Sequence, residues 1–305
     1  MKKKWKKRLF SWLLAGAAFL LACGESKETP LEQTLNGTSN QEQVVLAEVP
    51  EYSGSPYVEL NGNEPEFTEE ELTEESYETY SRLDGLGRCG EAEASVGEDL
   101  MPTKERERIS EVKPTGWHYV RREDIDGMSL YNRCHLIAYQ LTAENANEKN
   151  LITGTRYMNA EGMQPFENAV ANYIHRTDNH VMYRVTPIFE DDNLVVSGVV
   201  MEAESVEDDG EGISFHVYVY NVQPGYTIDY ATGDVWEAED TVTNADGEKI
   251  DGKEHTYILN TNTLKFHKPD CDGVQDIWKG NKKEYTGLRK TLIDQGYSPC
   301  GRCAP

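Results

Sequence analysis

Residues 131–167 read YNRCHLIAYQLTAENANEKNLITGTRYMNAEGMQPFE, and the order of polar residues in this stretch decides the fold and its chemistry. Arg133 and His135 close a strand-like run, Asn150 and Asn159 follow, and Glu167 lies on an amphipathic segment. Hydrolysis of a phosphate ester needs a base to take a proton from water, a cation for the charge that grows on phosphorus, and a grip on the phosphate oxygens. A histidine titrates close to neutrality and can be the base. Arginine grips phosphate with two parallel N–H donors. A hard ion such as Mg²⁺ keeps most of its waters, so one asparagine oxygen can serve as its main protein anchor.

Working outward, TGWHYVRRE and DGMSLYNRCHLIAYQL are expected as two strand-like runs joined by an Asp-Gly turn. ENANEKNLITGTRYMNAEGM is expected as a loop, and QPFENAVANYIHRTD as a helix, because Phe166, Val170, Tyr173 and Ile174 recur at helical spacing. HVMYRVTPIFE, LVVSGVVMEAESV and GISFHVYVYNVQPG alternate β-branched or aromatic residues with others and predict three strands of an antiparallel sheet. Upstream, PYVELNG predicts a short strand and turn. FTEEELTEESYETY predicts a helix capped by Thr68, and SRLDGLGRCGEAEASVGEDLMP strand and loop. The class is α+β, and IDYATGDV closes this domain near residue 236.

This stretch resembles the DNA/RNA non-specific endonuclease family of ββα-metal nucleases, whose hallmark is D-R-G-H, followed by an Asn-rich segment and a Glu-bearing helix. Here the hallmark reads Asn132-Arg133-Cys134-His135, and the steps from Asn150 to Asn159 and on to Glu167 follow the family pattern. The resemblance spans about residues 55–232. It implies His135 as general base, Asn159 as ligand of Mg²⁺ (or Mn²⁺), and Arg133 on the phosphate. It further implies Asn150 in support of site and phosphate, and Glu167 orienting the ion's waters. Asn132 in place of Asp and Cys134 in place of Gly are departures. Cys134 could pair with Cys89 in a disulfide, or both could be buried thiols. Arg108, in ERERIS, is a candidate second phosphate contact or simply an exposed charge, while His118, His175, His180 and His216 read as structural.

The N-terminus carries an address. MKKKWKKRLF is basic, SWLLAGAAFLLA is an apolar run short for a membrane span, and Leu20-Leu21-Ala22-Cys23-Gly24 resembles a bacterial lipobox. Residues 1–23 are therefore expected as a leader with lipidation at Cys23. The 305-residue chain has a formal charge of -24, which at first argues against a nucleic-acid partner. Much of that charge is local, since residues 24–80 hold fifteen Glu and one Lys. Residues 24–50 are expected as a disordered acidic spacer, 51–236 as the nuclease domain and 237–254 as an acidic linker.

Residues 255–305 are basic and hold His267, Cys271, Cys300 and Cys303, the last two as C-x-x-C. One imidazole and three thiolates suit a closed tetrahedral Zn²⁺ site, which a segment this short would need in order to fold. The pattern resembles the small zinc domain of Ada-type DNA-repair proteins, with His267 where that family has cysteine, and it implies contact with a DNA backbone. The expected whole is an exported nuclease tethered to the outer face of a bacterial membrane, or secreted, acting on DNA and RNA to leave 5′-phosphate ends. A surface receptor for binding or taking up DNA on an inactive nuclease fold is the competing class. Nicking of DNA in Mg²⁺ or Mn²⁺ by the purified protein separates the two.

Overall fold

Ten elements build the part of the chain around residues 131–167. In order they are β1 (Tyr57–Glu59), β2 (Tyr77–Tyr80), β3 (Ala92–Val96), β4 (Tyr131–His135), the one-turn helix α1 (Tyr139–Thr142), β5 (Leu151–Thr155) and the helix α2 (Gln164–Thr177). Three long strands follow: β6 (Val181–Ile188), β7 (Gly198–Ser205) and β8 (Ser214–Tyr220). The computed structural model describes residues 49–243, 249–303 and 305. The expected leader with Cys23, and the spacer up to residue 48, lie outside the described residues. Among the described residues no helix is long and apolar enough to cross a membrane.

A six-stranded sheet runs in the order β1-β8-β7-β6-β3-β2, every neighbour antiparallel. Alternation along its strands sends Ala92, Ala94, Val96, Val181, Tyr183, Val185, Met201, Phe215 and Val217 into one buried cluster. Across from them lie Cys134, Leu136, Ile152, Met158, Met163, Val170 and Ile174 from the β4–β5 hairpin, the turn over Met158–Met163 and α2. The hairpin pairs by itself, with His135 opposite Leu151 and Arg133 opposite Thr153. Hairpin and α2 thus form a ββα unit laid on the face of the sheet.

Three expectations change here. The run from Phe67 to Tyr80 makes one turn, with the Glu71 carboxylate accepting from Thr68 N–H at 2.7 Å, and then straightens into β2. Glu71 is drawn instead to Arg184 on β6, whose guanidinium also meets Glu93 at 2.7 Å and Glu202 at 3.0 Å. Residues 115–123 are irregular apart from one bridge, Arg121 to Ser129. The loop expected at 144–163 holds β5 and a π-helical turn, Met158–Met163.

Beyond the sheet, β9 (Tyr226–Asp229) and β10 (Asp234–Glu237) form a hairpin, and the acidic stretch continues through a paired β11 (Thr241–Thr243) and β12 (Lys249–Asp251). The basic tail is a four-stranded sheet of β13 (His255–Asn260), β14 (Lys265–His267), β15 (Lys282–Gly287) and β16 (Ser298–Pro299), in the order β15-β13-β14-β16. The helix α3 (Arg289–Asp294) lies between β15 and β16 in the chain.

Candidate active site

A two-residue period places Arg133 and His135 on one face of β4 and Cys134 on the other. His135 is buried, and its Nε2 lies 2.7 Å from the carbonyl oxygen of Asn145. A carbonyl only accepts, so Nε2 carries the proton and Nδ1 keeps its lone pair. Arg106 Nη2 donates to that lone pair across 3.2 Å. Burial, opposed by the bond to Asn145 and aided by the charge of Arg106, lowers the His135 pKa to about 4. The imidazole is therefore neutral at neutral pH, with its unprotonated nitrogen held by Arg106 at the cleft.

That cleft encloses about 560 Å³. Its walls include Arg106, Asn132, Arg133, His135, Arg156, Asn159 and Glu167. Asn159 sits on the π-helical turn, a wider coil of a kind that recurs at functional sites. The turn rests directly on β8, because a Cβ on Gly162 would lie 2.3 Å from Val219 Cγ1. Glu167, one turn into α2, is partly buried, and its carboxyl is pushed up to about 8, with the Arg106 charge opposing the effect of burial. A carboxyl held neutral in this way would ionise beside a divalent cation.

Arg133 lines the cleft but is also a brace. Its Nε donates to Val112 O, its Nη2 to Ser110 O at 3.1 Å, and its guanidinium stacks 4.0 Å above the Trp117 ring. Asn150 is not in the lining. It is fully buried, accepting from Ile137 N–H at 2.9 Å and donating to Ile137 O at 3.0 Å, and so clamps the chain just after His135. Arg108 is likewise outside the lining, and Arg106, two residues earlier, occupies the site. The sequence gives little sign of Arg106 and Arg156, since the first lies in an irregular charged run and the second beyond the hallmark. Only the density of arginine flanking the hallmark signals them.

Cys89 and Cys134 are free and buried. The Cys89 thiol points to the carbonyl oxygens of Glu148 and Leu151 at 3.2 and 3.3 Å. Cys134, standing where the hallmark has glycine, finds its space at Gly154 on β5, where a Cβ would meet Cys134 Sγ at 2.4 Å. Gly154→Ala is accordingly expected to destabilise the protein by about 1–3 kcal/mol through overpacking. Adding Cys134→Gly should recover most of the loss in urea unfolding. An unchanged deficit in the double variant would show that the two positions do not compensate.

The family model described as DNA/RNA non-specific endonuclease matches residues 68–207, the span from the Thr68 turn through β7. Residues 68–207 belong to the DNA/RNA non-specific endonuclease family. A crystal structure of NucA from Streptococcus agalactiae with magnesium ion bound aligns at 27% identity and a TM-score of 0.56, covering 65% of this chain and 94% of that one. NucA with no metal bound aligns at 27% and 0.55, covering 66% and 97%. A structure of Sda1 nuclease with bound zinc ion aligns at 30% and 0.45, covering 53% and 81%. The chain is an enzyme, a metal-dependent endonuclease. In the endonuclease domain β8 and β1, which complete the sheet on one side, lie outside the matched residues.

A second constellation lies in the tail. His267 at the end of β14, Cys271, Cys300 and Cys303 place one ligand atom each within 4.8 Å of one another. Cys271 Sγ is 3.6 Å from His267 Nδ1, and backbone N–H groups of Arg302 and Lys268 each point to a sulfur, of Cys300 and Cys303, at 3.4 Å. Such N–H donors favour thiolates, and the set can hold a soft or borderline divalent ion.

Proposed function

We propose that the protein is an exported, Mg²⁺-dependent endonuclease, Mn²⁺ being an alternative ion, that hydrolyses DNA and RNA to 5′-phosphate ends. The observation that carries this reading is the bond from His135 Nε2 to Asn145 O, which leaves a neutral, unprotonated Nδ1 facing the cleft. Nδ1 takes a proton from a water that attacks phosphorus in line. The P–O3′ bond breaks and its electron pair leaves with the 3′ oxygen. Arg106, which holds Nδ1 here, moves to the phosphate when substrate arrives, and the remaining donors of Arg133 face the same phosphate. Asn150 acts indirectly by pinning Ile137.

The donors fit a hard cation: a neutral Asn159 oxygen and the Glu167 carboxylate on one wall, with room for retained waters. When bound there, Mg²⁺ supplies charge stabilisation for the phosphorane and the departing oxygen. Asn159 would hold the ion, and Glu167 would accept hydrogen bonds from its hydration shell. In the tail, His267, Cys271, Cys300 and Cys303 would hold Zn²⁺ as a structural ion. The leader at 1–23 and a lipid on Cys23 would tether the enzyme to the outer face of a bacterial membrane, with residues 24–50 as spacer, 51–236 as nuclease, 237–254 as linker and 255–305 as zinc domain.

The test is a Mg²⁺ titration of plasmid and RNA cleavage. Wild type should cleave both, and Asn159→Ala should need at least tenfold more Mg²⁺ for half-maximal cleavage. Equal Mg²⁺ dependence in the two proteins would remove Asn159 from the metal site.

A further inference from the structure

Between the β9–β10 hairpin and the tail runs a groove of about 620 Å³. Tyr119, 69% exposed, lines both this groove and the catalytic cleft, so the two adjoin at this side chain. The groove is held open by a fixed contact. Arg289 on α3 makes a buried ion pair with Asp234 on β10 and donates to Pro305 O at 2.8 Å. Of the other charges on its walls, Asp251 is met by His255 at 3.0 Å. Arg121 lies 3.7 Å from the exposed Glu123. Arg122 stacks over Tyr226 with its Nε buried and without a hydrogen-bond partner. Lys268 lies on the tail side, and Lys253, Glu237 and Asp270 also line the groove.

An exposed ring, Tyr119, on the same groove as Arg121, Arg122 and Lys268 offers what a single polynucleotide strand requires, a face for a base to stack on and cations to pair with its phosphates. We propose that this groove binds the single-stranded arm of the nucleic-acid substrate that extends beyond the scissile phosphate, using Tyr119, Arg121, Arg122 and Lys268. This rests on the nuclease reading and extends it, because the tail then becomes half of a substrate-binding surface. A substrate too short to reach the groove gains nothing from it, whereas a longer strand binds more tightly.

The experiment has two arms. Binding of a fluorescein-labelled single-stranded 20-mer is followed by anisotropy across a salt series in a His135→Ala background. Adding Arg121→Ala and Lys268→Ala should weaken binding at least tenfold and make the log–log salt slope shallower by about 1.4, the value for two lost phosphate contacts on a single strand. An unchanged affinity and slope, or a loss confined to duplex, would overturn the proposal. The second arm measures turnover of bis-p-nitrophenyl phosphate, with His135 intact. The Arg121→Ala/Lys268→Ala protein should match wild type, because neither residue is in the catalytic cleft. A small diester left uncleaved by both proteins would count against the hydrolytic mechanism, while the binding arm would still decide the groove. A loss of small-diester turnover in the double variant alone would overturn the assignment of these residues to the groove.

Discussion

Replacing His135 with alanine is expected to lower kcat on plasmid DNA by about 10³-fold, within the range ascribed to a well-placed general base. The loss should come with little change in Kd for DNA, since in the proposed mechanism the phosphate is gripped by Arg106 and Arg133, not by His135. Full nicking by His135→Ala would remove the mechanism. The same residue sets the pH profile. Burial holds its pKa near 4, so the basic form is present from slightly acid to neutral pH. The acid limb of kcat/KM should therefore fall well below pH 6.5, the ordinary histidine value. A limb at 6.5 or above would mean that another group is the base, or that Nδ1 becomes far more exposed when Arg106 leaves it.

Loss of the four-ligand cluster should have the largest structural effect. The tail is supported by two small apolar groups, one around Tyr257, Leu259, Phe266 and Leu292, the other around Ile258, Val274 and Ile277 beside the ligand cysteines. So little core is marginal without a staple, whereas a structural zinc site in small peptides is worth about 10–16 kcal/mol. Cys300→Ser, or removal of zinc with a chelator, should leave residues 255–305 open to limited proteolysis and release thiols to Ellman's reagent. Turnover of bis-p-nitrophenyl phosphate in restored Mg²⁺ should persist, because the catalytic cleft lies wholly within the endonuclease domain. Purified protein containing no zinc, with a protease-resistant tail, would refute the assignment.

The sequence made some of this legible and hid the rest for identifiable reasons. The three long strands and α2 could be read because one face of each is buried and leaves a period in the text. His135, Asn159 and Glu167 could be placed together because a short motif fixes their order along a hairpin, a turn and a helix. The helix expected after Thr68 fails because a contact distant in sequence decides the matter, Arg184 on β6 drawing Glu71 to the sheet. β5 is masked by glycine and threonine, and the π-helical turn has the same letters as a loop. Asn150 belongs to the family pattern, yet only burial shows that both of its amide groups are spent on Ile137. Arg106 is invisible for the opposite reason. Its segment has no regular structure, and its meaning lies wholly in what it touches.

The two thiols behind the hairpin provide a built-in clock. Burial pushes the Cys89 thiol up to about 11 and that of Cys134 higher still, so neither reacts while the ββα unit is seated. Alkylation of Cys134 can proceed only when the hairpin lifts from the sheet. With the tail cysteines metal-bound, its rate would time that breathing motion, and its dependence on bound DNA would show how firmly substrate holds the nuclease shut.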